Sequence, residues 1–152
     1  MKSFLKAFVY AWQGISRAVR TQRNMRVHLT AVVYVTAFSF FYDLTRAEYA
    51  LLALTFGAVI SAELINTAIE AAVDLCSPEW HSLAKIAKDA AAGAVLAAAI
   101  FAVVVGVLLF GDIAVIKEIF RYYGSHPIAL AGLICSFAAA WFWIFGLYKK
   151  AK

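Results

Sequence analysis

Four polar side chains that could support cation binding or proton transfer recur at helical spacing within an apolar stretch. The segment YALLALTFGAVISAELINTAIEAAVDL spans residues 49–75 and contains Glu63, Asn66, Glu70 and Asp74. Spacings of three and four residues put these side chains on one face of a helix. We call them the acidic stripe. Carboxylates in a membrane helix are costly unless they face a bundle interior, a cavity or a cation, so the stripe predicts a functional site.

The different depths of the two glutamates predict different chemistry. Glu63 lies two helical turns, about 10 Å, deeper than Glu70, near the level of a lipid hydroxyl, where it could act as a general base. Glu70 is shallow enough to reach water, phosphates and Mg²⁺, which prefers carboxylate and phosphate oxygens. Lys88 and Asp89, at the start of a later apolar run, add a cation for phosphate charge and a further acidic group.

Structural explanations for the same residues remain open at this point. Polar residues on membrane helices also hold bundles together through interhelical hydrogen bonds. Asp74 fits a solvated charge at a helix end, and His81 fits either a loop residue or a site residue beside Lys85 and Lys88. The sequence has neither a Walker-type phosphate loop nor a Rossmann glycine turn.

The composition is that of an integral membrane protein. Of the 152 residues, 64% are hydrophobic and 15% are charged, and a soluble domain of this size cannot bury so much apolar surface. The net charge is +5, but the basic residues flank apolar runs. We therefore expect lipid headgroups and nucleotide phosphates as partners, and no nucleic acid.

The pattern of the chain predicts an all-α fold, an integral membrane helical bundle. Residues 1–26 have apolar and basic residues on opposite sides, which is typical of an amphipathic helix on the membrane surface. Three core spans and an extra C-terminal fourth span follow, at residues 27–42, 49–75, 90–111 and 128–148. A polar loop is predicted over residues 112–127.

The connector between the second and third spans is predicted to be helical. Ser77 would serve as its N-cap and Pro78 as its first residue, followed by a polar stretch from Glu79 to Asp89. The predicted domains are a core at residues 1–111 and a C-terminal loop and span at residues 112–152.

The distribution of basic residues predicts the orientation in the membrane. Of the 14 Lys and Arg residues, only Arg46, Lys117 and Arg121 fall on one side, and the others, including Lys149, Lys150 and Lys152, fall on the other side. The positive-inside rule therefore puts both termini and the connector in the cytoplasm. The acidic stripe would meet them at the cytoplasmic face.

Two strings resemble those of a known family. AELINTAIEAAVD and SPEWHSLAKIAKDAAAGAVL are similar to the prokaryotic diacylglycerol kinase family of small membrane lipid kinases, and the longer string is more similar to its undecaprenol kinase branch. The likeness extends over roughly residues 4–110. It implies ATP- and Mg²⁺-dependent phosphorylation of a membrane lipid alcohol, with undecaprenol favoured and diacylglycerol as the alternative. It also implies a homotrimer with intersubunit active sites in the bacterial cytoplasmic membrane.

The resemblance also implies roles for individual residues. Glu63 matches the catalytic base and Glu70 a metal ligand. The positions that match nucleotide contacts are Tyr10, Asn66, Glu70, Glu79, Trp80, His81, Lys88 and Asp89.

Two departures from the family pattern stand out. A further metal-binding glutamate is common on the N-terminal helix, and ungapped spacing from Trp12 puts Gln22 there. Its neutral amide oxygen can coordinate a cation but contributes no charge. The fourth span is the other departure, because the family core has three; we expect it outside the trimer.

A small ion- or proton-coupled transporter is the competing class of protein. A transporter would need carboxylates near the middle of the bilayer, on a path that reaches both faces. The acidic stripe lies toward one face instead, which favours the kinase.

Overall fold

The computed structural model describes residues 2–77 and 79–146, which form helices and short connections without a strand. This confirms the all-α prediction. The helices in this part of the chain are α1 Lys2–Thr21, α2 Arg23–Ser39, α3 Arg46–Cys76, α4 Ser82–Phe110, α5 Ile113–Ser125 and α6 Pro127–Trp141, followed by a π-helical turn at Phe142–Gly146.

Three of the described helical stretches are long and apolar enough to cross a membrane. They are α3, α4 and the stretch Pro127–Gly146 that joins α6 to the π turn. Helix α2 is not among them: its 17 residues span about 25 Å, and Arg23 and Arg26 lie in its first turn. The fold is thus that of a helical membrane bundle, while the span at residues 27–42 stays a prediction. The lysines predicted to follow the last span lie outside the described residues.

The N-terminal segment divides at Gln22, so the prediction of one helix over residues 1–26 was wrong. Gln22 has an extended conformation, with φ −100° and ψ 118°, although its N–H still donates to the Ala18 carbonyl at 2.8 Å. Ala18 and Met25 flank this corner and are each only 1% exposed. The bend therefore lets residues from both α1 and α2 pack inside the bundle.

The connector between the second and third spans also differs from the prediction. Ser77 is the C-cap of α3, its N–H donating to the Val73 carbonyl at 2.8 Å, and is not the N-cap of the next helix. His81 has that role, because its Nδ1 accepts a hydrogen bond from the Leu83 N–H at 3.2 Å. Pro78 lies outside the described residues. From Ser82 onward, the polar connector and the third span form one continuous helix.

The polar loop predicted over residues 112–127 is wrong as well, because most of it is helix α5. Asp112 caps this helix by accepting from the Ala114 N–H at 2.8 Å. Rings on α5 contact α2 and the turn after it: the Tyr123 ring centroid lies 6.4 Å from that of Phe38 and 6.3 Å from that of Phe41. These contacts provide the packing that stabilises a short helix.

Helices α3 and α4 form the most extensive helix pair and hold the acidic stripe. The buried apolar residues on α3 are Leu52 and Val59, and those on α4 are Ala91 and Val95. Small side chains on α4 allow close approach of the two backbones. The stripe is therefore carried on a helix whose position is fixed by packing.

A capping box begins α3 at the end remote from the acidic stripe. The Thr45 hydroxyl accepts from the Glu48 N–H at 3.3 Å, and the Glu48 carboxylate accepts from the Thr45 N–H at 2.7 Å. We expect Thr45→Ala to lower the free energy of unfolding by about 1 kcal/mol. Denaturation in micelles would measure this. The control is Thr55→Ala, whose hydroxyl donates only to Leu51 in its own helix; equal losses in the two variants would contradict the prediction.

Candidate active site

The deepest part of the acidic stripe is buried and incompletely hydrogen-bonded. Glu63 is 2% exposed and Asn66 is 7% exposed. The Asn66 Nδ2 donates to the Glu70 Oε1 at 3.0 Å, so the amide holds the shallower carboxylate in place. Within the described part of the chain, Glu63 Oε2 and Asn66 Oδ1 have no hydrogen-bond partner. Buried polar oxygens are normally satisfied, so these two atoms are available to a ligand, a proton or another subunit.

A cleft of about 760 Å³ separates α1 from α3 along the shallow part of the stripe. Arg17 and Gln22 line it from the α1 side, and Thr67, Glu70 and Asp74 line it from α3. The structure thus brings Gln22 to the same cleft as Glu70, although 48 positions separate them in the sequence. Arg17 also lines this cleft, although it was not among the predicted site residues; its place on the polar side of α1 was the available signal.

Lys88 reaches the stripe from α4. Its Nζ donates to the Asp74 Oδ1 at 2.8 Å, which links the ends of the two core helices. Asp89 instead accepts from Lys85 Nζ at 2.6 Å, in a pair whose side chains are both more than 60% exposed. The structure therefore joins Lys88 to the acidic stripe, whereas Asp89 is paired on its own helix.

The other predicted nucleotide contacts are not gathered at the cleft within this chain. Tyr10 is 65% exposed and Trp80 is 81% exposed. Glu79 is also exposed, and the His81 ring caps α4. None of the four lines the cleft between α1 and α3. Their nucleotide contacts stay predictions.

The cleft has the donor atoms to bind a divalent cation together with a ligand. It does not surround the cation with protein ligands alone. Among the described residues there is no group of three or more His, Cys, Asp or Glu side chains arranged to hold a metal. The cleft does offer the Glu70 and Asp74 carboxylates and the Gln22 amide. Mg²⁺ is commonly bound by one or two carboxylates, with phosphate and water oxygens completing its shell, so this donor set fits that ion.

The fold and this site define the chain as a helical integral membrane protein with a carboxylate site at the end of its core helices. Residues 9–110 match the family described as prokaryotic diacylglycerol kinase. The chain belongs to this family, and it is accordingly a lipid kinase, as the sequence predicted. The match ends at Phe110, so α5, α6 and the π turn lie outside it.

Individual relatives have two different names. An undecaprenol kinase of Bacillus subtilis is 43% identical over 110 residues, which is 72% of this chain and 89% of that protein. A diacylglycerol kinase of Synechocystis sp. is 53% identical over 106 residues, 68% of this chain but only 60% of that longer protein. A diacylglycerol kinase of Escherichia coli is 33% identical over 105 residues, 69% of this chain and 86% of that protein. The kinase names, common to all three, disfavour the transporter alternative.

Proposed function

We propose that this protein is an ATP- and Mg²⁺-dependent kinase that phosphorylates the hydroxyl of undecaprenol, with diacylglycerol as the other candidate acceptor. The observation that carries the proposal is the buried Glu63, whose Oε2 lacks a hydrogen-bond partner among the described residues. Membership of a lipid kinase family supports the reaction class. The names of the relatives support both acceptors.

Glu63 acts as the general base in this proposal. Its carboxylate accepts the proton of the lipid hydroxyl while that oxygen forms a bond to the γ-phosphorus of ATP. The bond from the γ-phosphorus to the bridging oxygen breaks, and ADP leaves with the electron pair. Because Glu63 is almost fully buried, water has little access to the reacting atoms, which favours transfer to the lipid over hydrolysis.

The shallower residues bind and orient the nucleotide. Asn66 holds the Glu70 carboxylate through its 3.0 Å hydrogen bond. Glu70 and the Gln22 amide would hold Mg²⁺, which, when bound, offsets negative charge on the phosphates. Lys88 and Arg17 contribute positive charge beside the same cleft, which phosphoryl transfer requires.

The proposed setting is the cytoplasmic face of a bacterial cytoplasmic membrane, with both termini in the cytoplasm, because the basic residues concentrate on that side. The proposed assembly is a homotrimer with active sites between subunits. The exposure of Tyr10 and Trp80 supports this, because both are expected nucleotide contacts that lie apart from the cleft of their own chain.

Transfer of label from γ-labelled ATP to each lipid tests the proposed acceptor. The purified protein would be incubated in micelles with undecaprenol, with diacylglycerol or without lipid, in the presence of Mg²⁺ or of a chelator. We expect Mg²⁺-dependent labelling of both lipids, with the higher kcat/KM for undecaprenol. A higher kcat/KM for diacylglycerol would reverse the assignment of acceptor, and labelling of neither lipid would contradict the kinase.

The Gln22→Glu variant tests the proposed metal ligand at the corner between α1 and α2. A carboxylate in place of the amide should lower the Mg²⁺ concentration for half-maximal activity by about fivefold, since a charged ligand is stronger by roughly 1 kcal/mol. The matched control is Gln13→Glu, an exposed position on α1 that does not line the cleft. If both variants leave the Mg²⁺ titration unchanged, Gln22 is not a metal ligand.

A further inference from the structure

The C-terminal segment beyond the family match returns to the corner between α1 and α2. This corner carries Gln22, which lines the cleft beside Glu70. The π turn Phe142–Gly146 lies against the same corner and belongs to the part of the chain after Phe110. The segment that the family core lacks is therefore in contact with an element of the proposed site.

A buried arginine joins the corner to the π turn. Arg26 is 2% exposed, and its Nη1 donates to the Trp143 carbonyl at 3.0 Å. Carbonyls in the last turn of a helix commonly lack partners within the helix, so the Trp143 carbonyl can accept a hydrogen bond from another helix. A hydrogen bond from a charged donor in an apolar bundle is stronger than one between neutral groups. This bond restrains the first turn of α2.

Another contact lies closer to Gln22. The Arg23 guanidinium carbon is 5.8 Å from the centroid of the Phe145 ring, within the range of a cation–π interaction. Gln22, Arg23, Asn24 and Phe145 together line a small cleft of about 360 Å³. Gln22 is thus the residue shared by this cleft and the cleft that contains Glu70.

Helix α6 also contacts α2 around Tyr34, before the chain reaches the π turn. The Tyr34 hydroxyl donates to the Ser136 Oγ at 3.0 Å, and the Tyr34 and Phe137 rings stack with centroids 4.8 Å apart. These contacts lie several turns from the corner. They form a second point at which the chain beyond the family match contacts α2.

We propose that the π turn positions Gln22 in the active site by restraining the α1–α2 corner, with Phe145 and Arg26 as positioning residues. The Gln22 side chain makes no capping hydrogen bond to α2, so its orientation depends on how the corner is held. The proposal rests on the proposed metal-binding role of Gln22. The C-terminal extension would then be part of the catalytic architecture of this kinase, although it touches no reacting atom.

Hydrogen exchange in the full-length protein tests the restraint without using activity. In Phe145→Ala, the Gln22 amide, which donates to the Ala18 carbonyl, and the amides of residues 27–30, in the second turn of α2, should exchange about two- to fivefold faster, the factor expected from losing an exposed cation–π contact. Phe145→Tyr keeps the ring and should match the wild type. Phe142→Ala removes a phenyl ring from the same turn, at a position that is 63% exposed. Its amide exchange rates should also match those of the wild type. Unchanged exchange in Phe145→Ala would overturn the proposal.

Mg²⁺ titration then tests whether the restraint acts through Gln22. Phe145→Ala should raise the Mg²⁺ concentration for half-maximal activity about two- to fivefold, with little change in kcat at saturating Mg²⁺. In a Gln22→Ala background the same substitution should have no further effect, since the two changes would act on one interaction. Additive effects would overturn the proposal. If Gln22→Ala alone leaves the titration unchanged while exchange still responds to Phe145→Ala, the metal role of Gln22 fails and the restraint remains.

Discussion

Glu63→Gln is expected to reduce the rate of lipid phosphorylation by about 10²- to 10⁴-fold, the usual contribution of a general base. The amide has nearly the same shape as the carboxylate but cannot accept the proton of the lipid alcohol. Because Glu63 is 2% exposed, replacing a group that ionises with a neutral one should leave the free energy of unfolding unchanged or increase it. Loss of activity would therefore not reflect unfolding.

The measurement is label transfer from ATP at saturating lipid, with nucleotide affinity determined separately. Binding of the nucleotide should be largely retained, because the proposed nucleotide contacts lie at shallower positions. Glu118→Gln is the matched control, since Glu118 is exposed on α5 and lies outside the site. A Glu63→Gln variant with the full rate would refute the base assignment.

Glu70→Gln is expected to raise the Mg²⁺ requirement by about ten- to a hundredfold, as changes around a metal site typically do. The glutamine oxygen can still accept the hydrogen bond that Asn66 Nδ2 gives to Glu70 at 3.0 Å. The substitution therefore removes charge while it keeps the local geometry. At saturating Mg²⁺ much of the rate should return, which distinguishes a metal ligand from a general base.

The two glutamate variants should thus differ in their response to Mg²⁺. Activity of Glu70→Gln would be followed across a wide Mg²⁺ range, again beside Glu118→Gln. Recovery at high Mg²⁺ in Glu70→Gln and none in Glu63→Gln would support the two roles. If Glu70→Gln has the wild-type Mg²⁺ dependence, the cation is bound elsewhere.

The core of the fold could be predicted because its signals are local. A long apolar run with acidic residues at helical spacing identified α3, predicted at residues 49–75 and found at Arg46–Cys76. Helix α5 was missed because residues 112–127 were interpreted as a polar loop, whereas rings on this helix contact residues far away in the sequence, such as Phe41. The break at Gln22 is not marked in the sequence by a glycine or proline. It follows from the burial of Ala18 and Met25 on the two sides of the corner.

The site was also predictable only in part, because some of its residues are brought together by packing between distant parts of the chain. Glu63, Asn66 and Glu70 lie on one helix, so their spacing alone groups them. The placement of Gln22 and Glu70 along one cleft needed the resemblance to a family as well as spacing, because it depends on how α1 packs on α3. Nothing in the sequence pairs Arg26 with Trp143, since a backbone carbonyl carries no residue-type signal.

The bond between Arg26 and the Trp143 carbonyl spans 117 positions of the chain. At ribosomal rates of about 5–20 residues per second, the acceptor is synthesised roughly 6 to 23 s after the donor. During that interval the first turn of α2 has been synthesised, but the Arg26 guanidinium cannot yet bind the Trp143 carbonyl. Final closure of this corner therefore has to wait until the π turn has been synthesised.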